Sequence, residues 1–127
     1  MHWIPLLACL VFAGCSESPS PEPDGPAVVR ESARAYVEAL RSREWERACG
    51  QMTRAARAAL RDEAGGSCED ALAAGAALAP SELDAIRRQL PGARVELRGE
   101  RATLGPLGDG ERSLVLERRG ARWLVAG

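Results

Sequence analysis

Apolar spacing changes once along this chain, at Pro91-Gly92, from three- and four-residue steps to alternation, and that change fixes the fold class. Val29, Ala33, Tyr36, Val37 and Leu40 recur between Arg30, Glu31, Arg34, Glu38 and Arg41, which predicts an amphipathic helix over 27–42 behind Pro26. Trp45, Ala48, Cys49 and Met52 predict a short second helix over 44–52, with Trp45 packed inward. Thr53 suits the cap of a third helix over 54–63, rich in Ala, Leu and Arg and stopped by Gly65-Gly66. Ser67 and Asp70 form a capping pattern ahead of a helix over 71–78. Ser81 and Asp84 repeat the pattern after Pro80, opening a helix through Leu83, Ile86 and Leu90. Past Gly92, Val95 and Leu97 alternate with charges, Gly99-Glu100 turns the chain, and Ala102 and Leu104 alternate in return. A loop over 106–110, a strand over 112–117, a turn at Arg119-Gly120 and a strand over 122–126 complete the pattern. The expectation is α+β: N-terminal helices packed on one face of a C-terminal antiparallel meander of about four strands.

The first residues read differently. Residues 3–13 are apolar and uncharged, and polarity begins abruptly after Phe12-Ala13-Gly14-Cys15. As a helix the apolar core would rise about 15 Å, half a hydrocarbon core, so it suits an export signal and not a span. Residues 16–26 hold four prolines and no large apolar side chain, the composition of a semi-extended tether. The four residues ending at Cys15 resemble the lipobox of bacterial lipoproteins, with Phe12 where that motif carries Leu, Val or Ile. The resemblance implies that the Cys15 thiol is alkylated by lipid and becomes the first residue of the mature chain. Residues 1–14 are then a signal peptide, 15–26 a lipid-anchored tether and 27–127 a single domain on the extracytoplasmic side of the cell membrane. An ordinary secretory peptide cleaved after Gly14 or Gly25, or a short buried strand, is the other reading.

On the lipoprotein reading Cys9 leaves with the signal and Cys15 carries lipid, so Cys49 and Cys68 remain as an even pair. A disulfide is the default for such a pair in an oxidising envelope; two buried free thiols, a redox pair or a metal site are the alternatives. A mature chain without His is a poor zinc ligand set, and the cysteines are not spaced as Cys-x-x-Cys. All seventeen basic residues are Arg, eighteen residues are acidic, and the two signs alternate along the helices instead of forming a stripe, so neither nucleic acid nor an anionic membrane surface is an implied partner.

Three pieces carry a second resemblance: Tyr36-Val37-Glu38-Ala39-Leu40 followed by Glu44-Trp45-Glu46-Arg47-Ala48-Cys49; the helix from Thr53 leading to Cys68-Glu69-Asp70-Ala71-Leu72; and the terminal Gly120-Ala121-Arg122-Trp123-Leu124-Val125. In this order they resemble small envelope lipoproteins of GC-rich bacteria with a nuclear-transport-factor-two-like domain, a cone-shaped α+β fold related to ketosteroid isomerase and polyketide cyclases. The resemblance implies a cone with a pocket between sheet and helices, for which Tyr36, Trp45 and Trp123 are the candidate lining residues.

The residues themselves offer no catalytic set. Tyr36 lies on the apolar stripe of the first helix, where packing with a hydrogen-bonded hydroxyl accounts for it. Asp62, Asp70 and Asp84 sit at predicted helix ends, where capping and the helix dipole account for them. Glu96, Glu100 and Glu117 lie among arginines on strand faces read as solvated, with cross-strand pairing expected. Ser113 and Thr103 lack an activating base, Gly108-Asp109-Gly110 is a turn signal, and Arg118, Arg119 and Arg122 crowd a turn. Trp45 and Trp123 are expected to pack together, helix ring on final strand. No metal or cofactor is expected. The leading expectation is a non-enzymatic domain binding an apolar ligand or an envelope protein; the rivals are a pocket enzyme of isomerase or cyclase type, which needs a buried carboxylate facing Tyr36, and an accessory subunit of an envelope complex.

Overall fold

The computed structural model describes residues 25–76 and 78–127. Helix α1 (Pro26–Arg41) begins with proline at its first position, as a missing N–H permits, and buries Val29, Ala33, Val37, Ala39 and Leu40. It ends in a Schellman arrangement: Glu44 N–H donates to Ala39 O at 2.9 Å and Arg43 N–H to Leu40 O at 3.2 Å. Helix α2 (Trp45–Gly50) follows, then α3 (Arg54–Ala64), whose cap is the buried Thr53, its hydroxyl accepting from Ala56 N–H at 3.1 Å. The capping box of Ser67 and Asp70 forms as expected and starts α4 (Cys68–Ala71). Helix α5 (Pro80–Gln89) runs into a tight turn, Leu90–Gly92.

Strands β1 (Arg94–Arg98), β2 (Arg101–Leu107), β3 (Arg112–Arg119) and β4 (Arg122–Val125) form one open antiparallel sheet in sequence order. Ala102, Leu104, Leu116, Trp123 and Val125 are buried, Ala102, Leu104 and Leu116 completely, and α1 touches β1, β3 and β4. The architecture is therefore α+β with the helices N-terminal. Two further stitches join helices to sheet. Both Nε and Nη2 of Arg30 donate to Ala93 O, at 3.1 and 3.0 Å. Residues 51–53 run parallel to the end of β4, with Val125 N–H donating to Gln51 O at 2.7 Å and Thr53 N–H to Val125 O at 2.8 Å.

Cys49 and Cys68 form a disulfide across 19 positions, S–S 2.10 Å, joining α2 to α4. Closing a loop of this length stabilises by about 3 kcal/mol on the chain-entropy view.

Three local expectations are corrected. The loop predicted from Pro106 does not begin there, because β2 continues to Leu107 through a one-residue bulge, past a cis Gly105-Pro106 bond. The bulge reverses parity and turns Leu107 into the core. A Cβ at Gly105 would meet Arg112 O at 3.0 Å and Ser113 Cα at 3.2 Å, so a side chain there would press β3 away by a few tenths of an ångström. The helix predicted over 71–78 instead widens into a π-turn, Leu72–Ala76, where Gly75 takes φ 109°, outside helical space. The Ser81/Asp84 cap does not form: Pro80 already occupies the first helical position, behind Ala79, and Asp84 pairs with Arg41.

Reduction of the disulfide, or Cys49→Ser with Cys68→Ser, is expected to lower unfolding free energy by about 3 kcal/mol in urea melts. An unchanged midpoint would show that the α2–α4 loop is held without the bridge.

Candidate functional site

The bulge that turns Leu107 inward also shapes a cleft of about 440 Å³ between α1, α5 and the β2–β3 bend. Val37 and Leu40 of α1, Leu83 and Ile86 of α5, and Leu107 and Leu114 of the sheet supply apolar walls, Leu78 closes one end, and Glu111, Arg112 and Ser113 stand at the rim. Tyr36 lines this cleft. Its hydroxyl forms no hydrogen bond with another described residue; burial pushes the phenol above the ordinary tyrosine value of 10.0.

A second cleft, about 610 Å³, opens between the end of α1, the start of α2, the π-turn and the start of α5. Trp45 is half-buried there beside Leu40, Leu72, Leu78 and Leu83, and Arg43 stands at its mouth. Leu40, Leu78 and Leu83 belong to both clefts, so one apolar partition separates the Tyr36 cleft from the Trp45 cleft. Trp123 is only 2 % exposed and lines a third groove of about 560 Å³ with Ala27, Ser32 and Gln51. The three aromatic candidates therefore line three different clefts. Trp45 packs against the core cluster that contains Trp123, and the two rings line different clefts.

Charges beside the partition are organised in a way the sequence reading missed. Arg41 Nε donates to Asp84 Oδ1 at 2.8 Å, and Arg41 Nη1 to Glu38 Oε2 at 3.3 Å. Glu38 Oε1 faces Arg87 Nε at 2.7 Å but accepts no directed hydrogen bond, so charge attraction holds that contact. This network clamps α1 to α5. Its signal was present as acid and arginine three positions apart on each helix, Glu38/Arg41 and Asp84/Arg87; the crossing between helices is tertiary information.

The other polar candidates are accounted for locally. Asp70 serves its capping box, while Asp62, Glu96 and Glu100 are exposed. Glu117 pairs with Arg119 of its own strand at 2.7 Å, where a cross-strand partner was expected. Arg118 Nε donates to Gly120 O at 3.0 Å and Arg122 Nη2 to Gly50 O at 3.3 Å, so the basic turn is partly engaged by the fold itself. Ser113 is at the Tyr36 rim, and Thr103 lies half-buried on β2. Among the described residues no group of three His, Cys, Asp or Glu side chains could hold a metal ion, and no helix is long and apolar enough to cross a membrane. Cys15, the signal peptide over 1–14 and most of the tether lie outside the described residues. Comparison with known proteins finds no matching family model, no matching curated protein and no matching solved structure.

Two outcomes follow from these positions. Tyr36 is the single tyrosine, so absorbance reports it alone. Its phenol is raised in the fold and ordinary in the unfolded chain, so its contribution is complete below about pH 10 and lost as pH rises from there through the folded value. Tyr36→Phe should flatten the fall in stability as pH rises above about 10; an identical slope in the variant would contradict the assignment. Arg43, with φ 56°, is the one non-glycine residue of positive φ among those described. Arg43→Gly should therefore stabilise the domain by about 1 kcal/mol, read by urea melts.

Proposed function

We propose that this chain is an envelope lipoprotein: an α+β domain held on the extracytoplasmic side of the cell membrane by lipid on Cys15, which takes up a small apolar ligand without transforming it. The observation that carries the binding reading is the Tyr36 cleft. Its volume lies in the range of about 300–1,000 Å³ common for small-molecule sites, and its walls are mainly apolar, with the Tyr36 phenol and the residues Glu111, Arg112 and Ser113 as the polar groups. An isomerase-like reading would need a buried carboxylate facing Tyr36, whereas Glu111, which lines this cleft, is exposed. Phe12-Ala13-Gly14-Cys15 supports the anchor, and the Cys49–Cys68 disulfide supports an oxidising compartment. The order of helices before an open meander is compatible with a relationship to nuclear-transport-factor-two-like lipoproteins, which is part of the proposal.

Ser113 offers a way to obstruct the cleft from its exposed rim. Ser113→Trp should weaken binding of the neutral fluorophore N-phenyl-1-naphthylamine by about tenfold, or 1.4 kcal/mol. Absence of binding, or equal binding by both proteins, would contradict a ligand site here. Replacement of Cys15 by serine should move the protein from the membrane pellet to the soluble fraction, and continued pelleting would contradict the anchor.

A further inference from the structure

The Trp45 cleft carries an observation that the Tyr36 cleft does not. At the Schellman end of α1 the position that takes positive φ is normally glycine, because a side chain there crowds its own backbone. Here it is Arg43, with φ 56°. The strain places a guanidinium at the mouth of the largest of the three clefts, about 610 Å³. Strained backbone kept where a charged side chain meets a cleft is the pattern of a functional position.

The charge balance at this mouth is uneven. Arg41 is neutralised by Glu38 and Asp84, and Arg47 by Glu44 at 3.0 Å. The Arg43 side chain is exposed and makes no ion pair or hydrogen bond with another described residue. Arg41, Arg43 and Asp84 are the charged residues lining the cleft, so pairing leaves one positive charge above apolar walls formed by Leu40, Leu72, Leu78, Leu83 and the Trp45 ring. We propose that this cleft binds a monomeric anionic amphiphile, with its apolar chain against the leucines and Trp45 and its carboxylate on Arg43. A guanidinium suits such a headgroup because two parallel N–H donors match the two oxygens of a carboxylate. This site is distinct from the one in the proposed function: Arg43 does not line the Tyr36 cleft, and Ser113 does not line this one.

The full chain carrying Cys15→Ser, purified without detergent, is titrated calorimetrically with dodecanoate, dodecanol and dodecyltrimethylammonium. Dodecanoate should bind about tenfold more tightly than either other probe and shift Trp45 emission, with the shift absent in Trp45→Phe. Arg43→Gly should reduce dodecanoate to the dodecanol level without lowering the melting temperature, which separates loss of the cation from damage to the fold. Ser113→Trp should leave dodecanoate affinity unchanged while weakening the naphthylamine probe, so the two sites fail independently. Equal affinity for dodecanoate and dodecanol would overturn the proposal. So would retention of affinity in Arg43→Gly, loss in Ser113→Trp, or binding confined to phosphatidylglycerol vesicles.

Discussion

The covalent tie between Cys49 and Cys68 is the constraint on which the helical layer depends. Helix α3 contributes no buried residue and meets the core only through the half-buried Ala56 and Leu60. On propensity alone an isolated helix of eleven residues is marginal in water. The bridge fixes the two ends of this excursion, and the Thr53 cap and the Ser67–Asp70 box define where it starts and stops. About 3 kcal/mol from loop closure is large against the roughly 5–15 kcal/mol by which small domains are stable. Cys68 Sγ also lies 3.9 Å from Met52 Sδ, and Met52 pairs with Val125, so the bridge reaches the sheet through a single intervening residue.

From that anchoring follows the position of the clefts. Helix α1 crosses the sheet, with Trp123 and Leu116 buried in the core it covers, while α5 is fastened to it by Glu38, Arg41, Asp84 and Arg87. These ion pairs are partly exposed, and each contributes modestly in water. They cross between α1 and α5 beside Leu40, Leu78 and Leu83, the residues that line both clefts. The Tyr36 side is closed by a bulged strand and the Trp45 side by a π-turn, both departures from regular structure that a glycine permits, Gly105 by lacking a Cβ and Gly75 by positive φ.

Those departures are also where sequence reasoning stops. Periodicity located all four strands and four of the five helices to within a few residues, because alternation at Ala102 and Leu104 and three-to-four steps at Val29, Ala33, Val37 and Leu40 are direct images of burial, whereas the helix predicted over 71–78 meets α4 only at Ala71 and Leu97 on β1 is 38 % exposed. The disulfide was legible from cysteine count, and the caps at Thr53 and Ser67 from residue type. Leu107 was not, since a bulge changes parity only through contact with β3. The ending of the helical run near Gly75 was hidden because an alanine-rich stretch has high helix propensity whatever its tertiary fate. Tyr36, Trp45 and Trp123 were each read as buried or cleft-lining; that they line separate clefts depends on how helices cross, which spacing along one helix does not encode. Arg43 carried no signal at all, because an arginine in a turn is unremarkable until its backbone angle is known.

The proposed envelope lipoprotein combines an oxidised, bridged domain with a proposed lipid on Cys15 upstream of it. Intact mass spectrometry of the protein extracted from membranes, with and without reduction, tests both parts together. The expected species is a chain beginning at Cys15, heavier by its acyl groups, that gains two hydrogens on reduction and reacts with a thiol reagent only afterwards, at Cys49 and Cys68. A chain without acyl mass whose Cys49 and Cys68 react before reduction would contradict it.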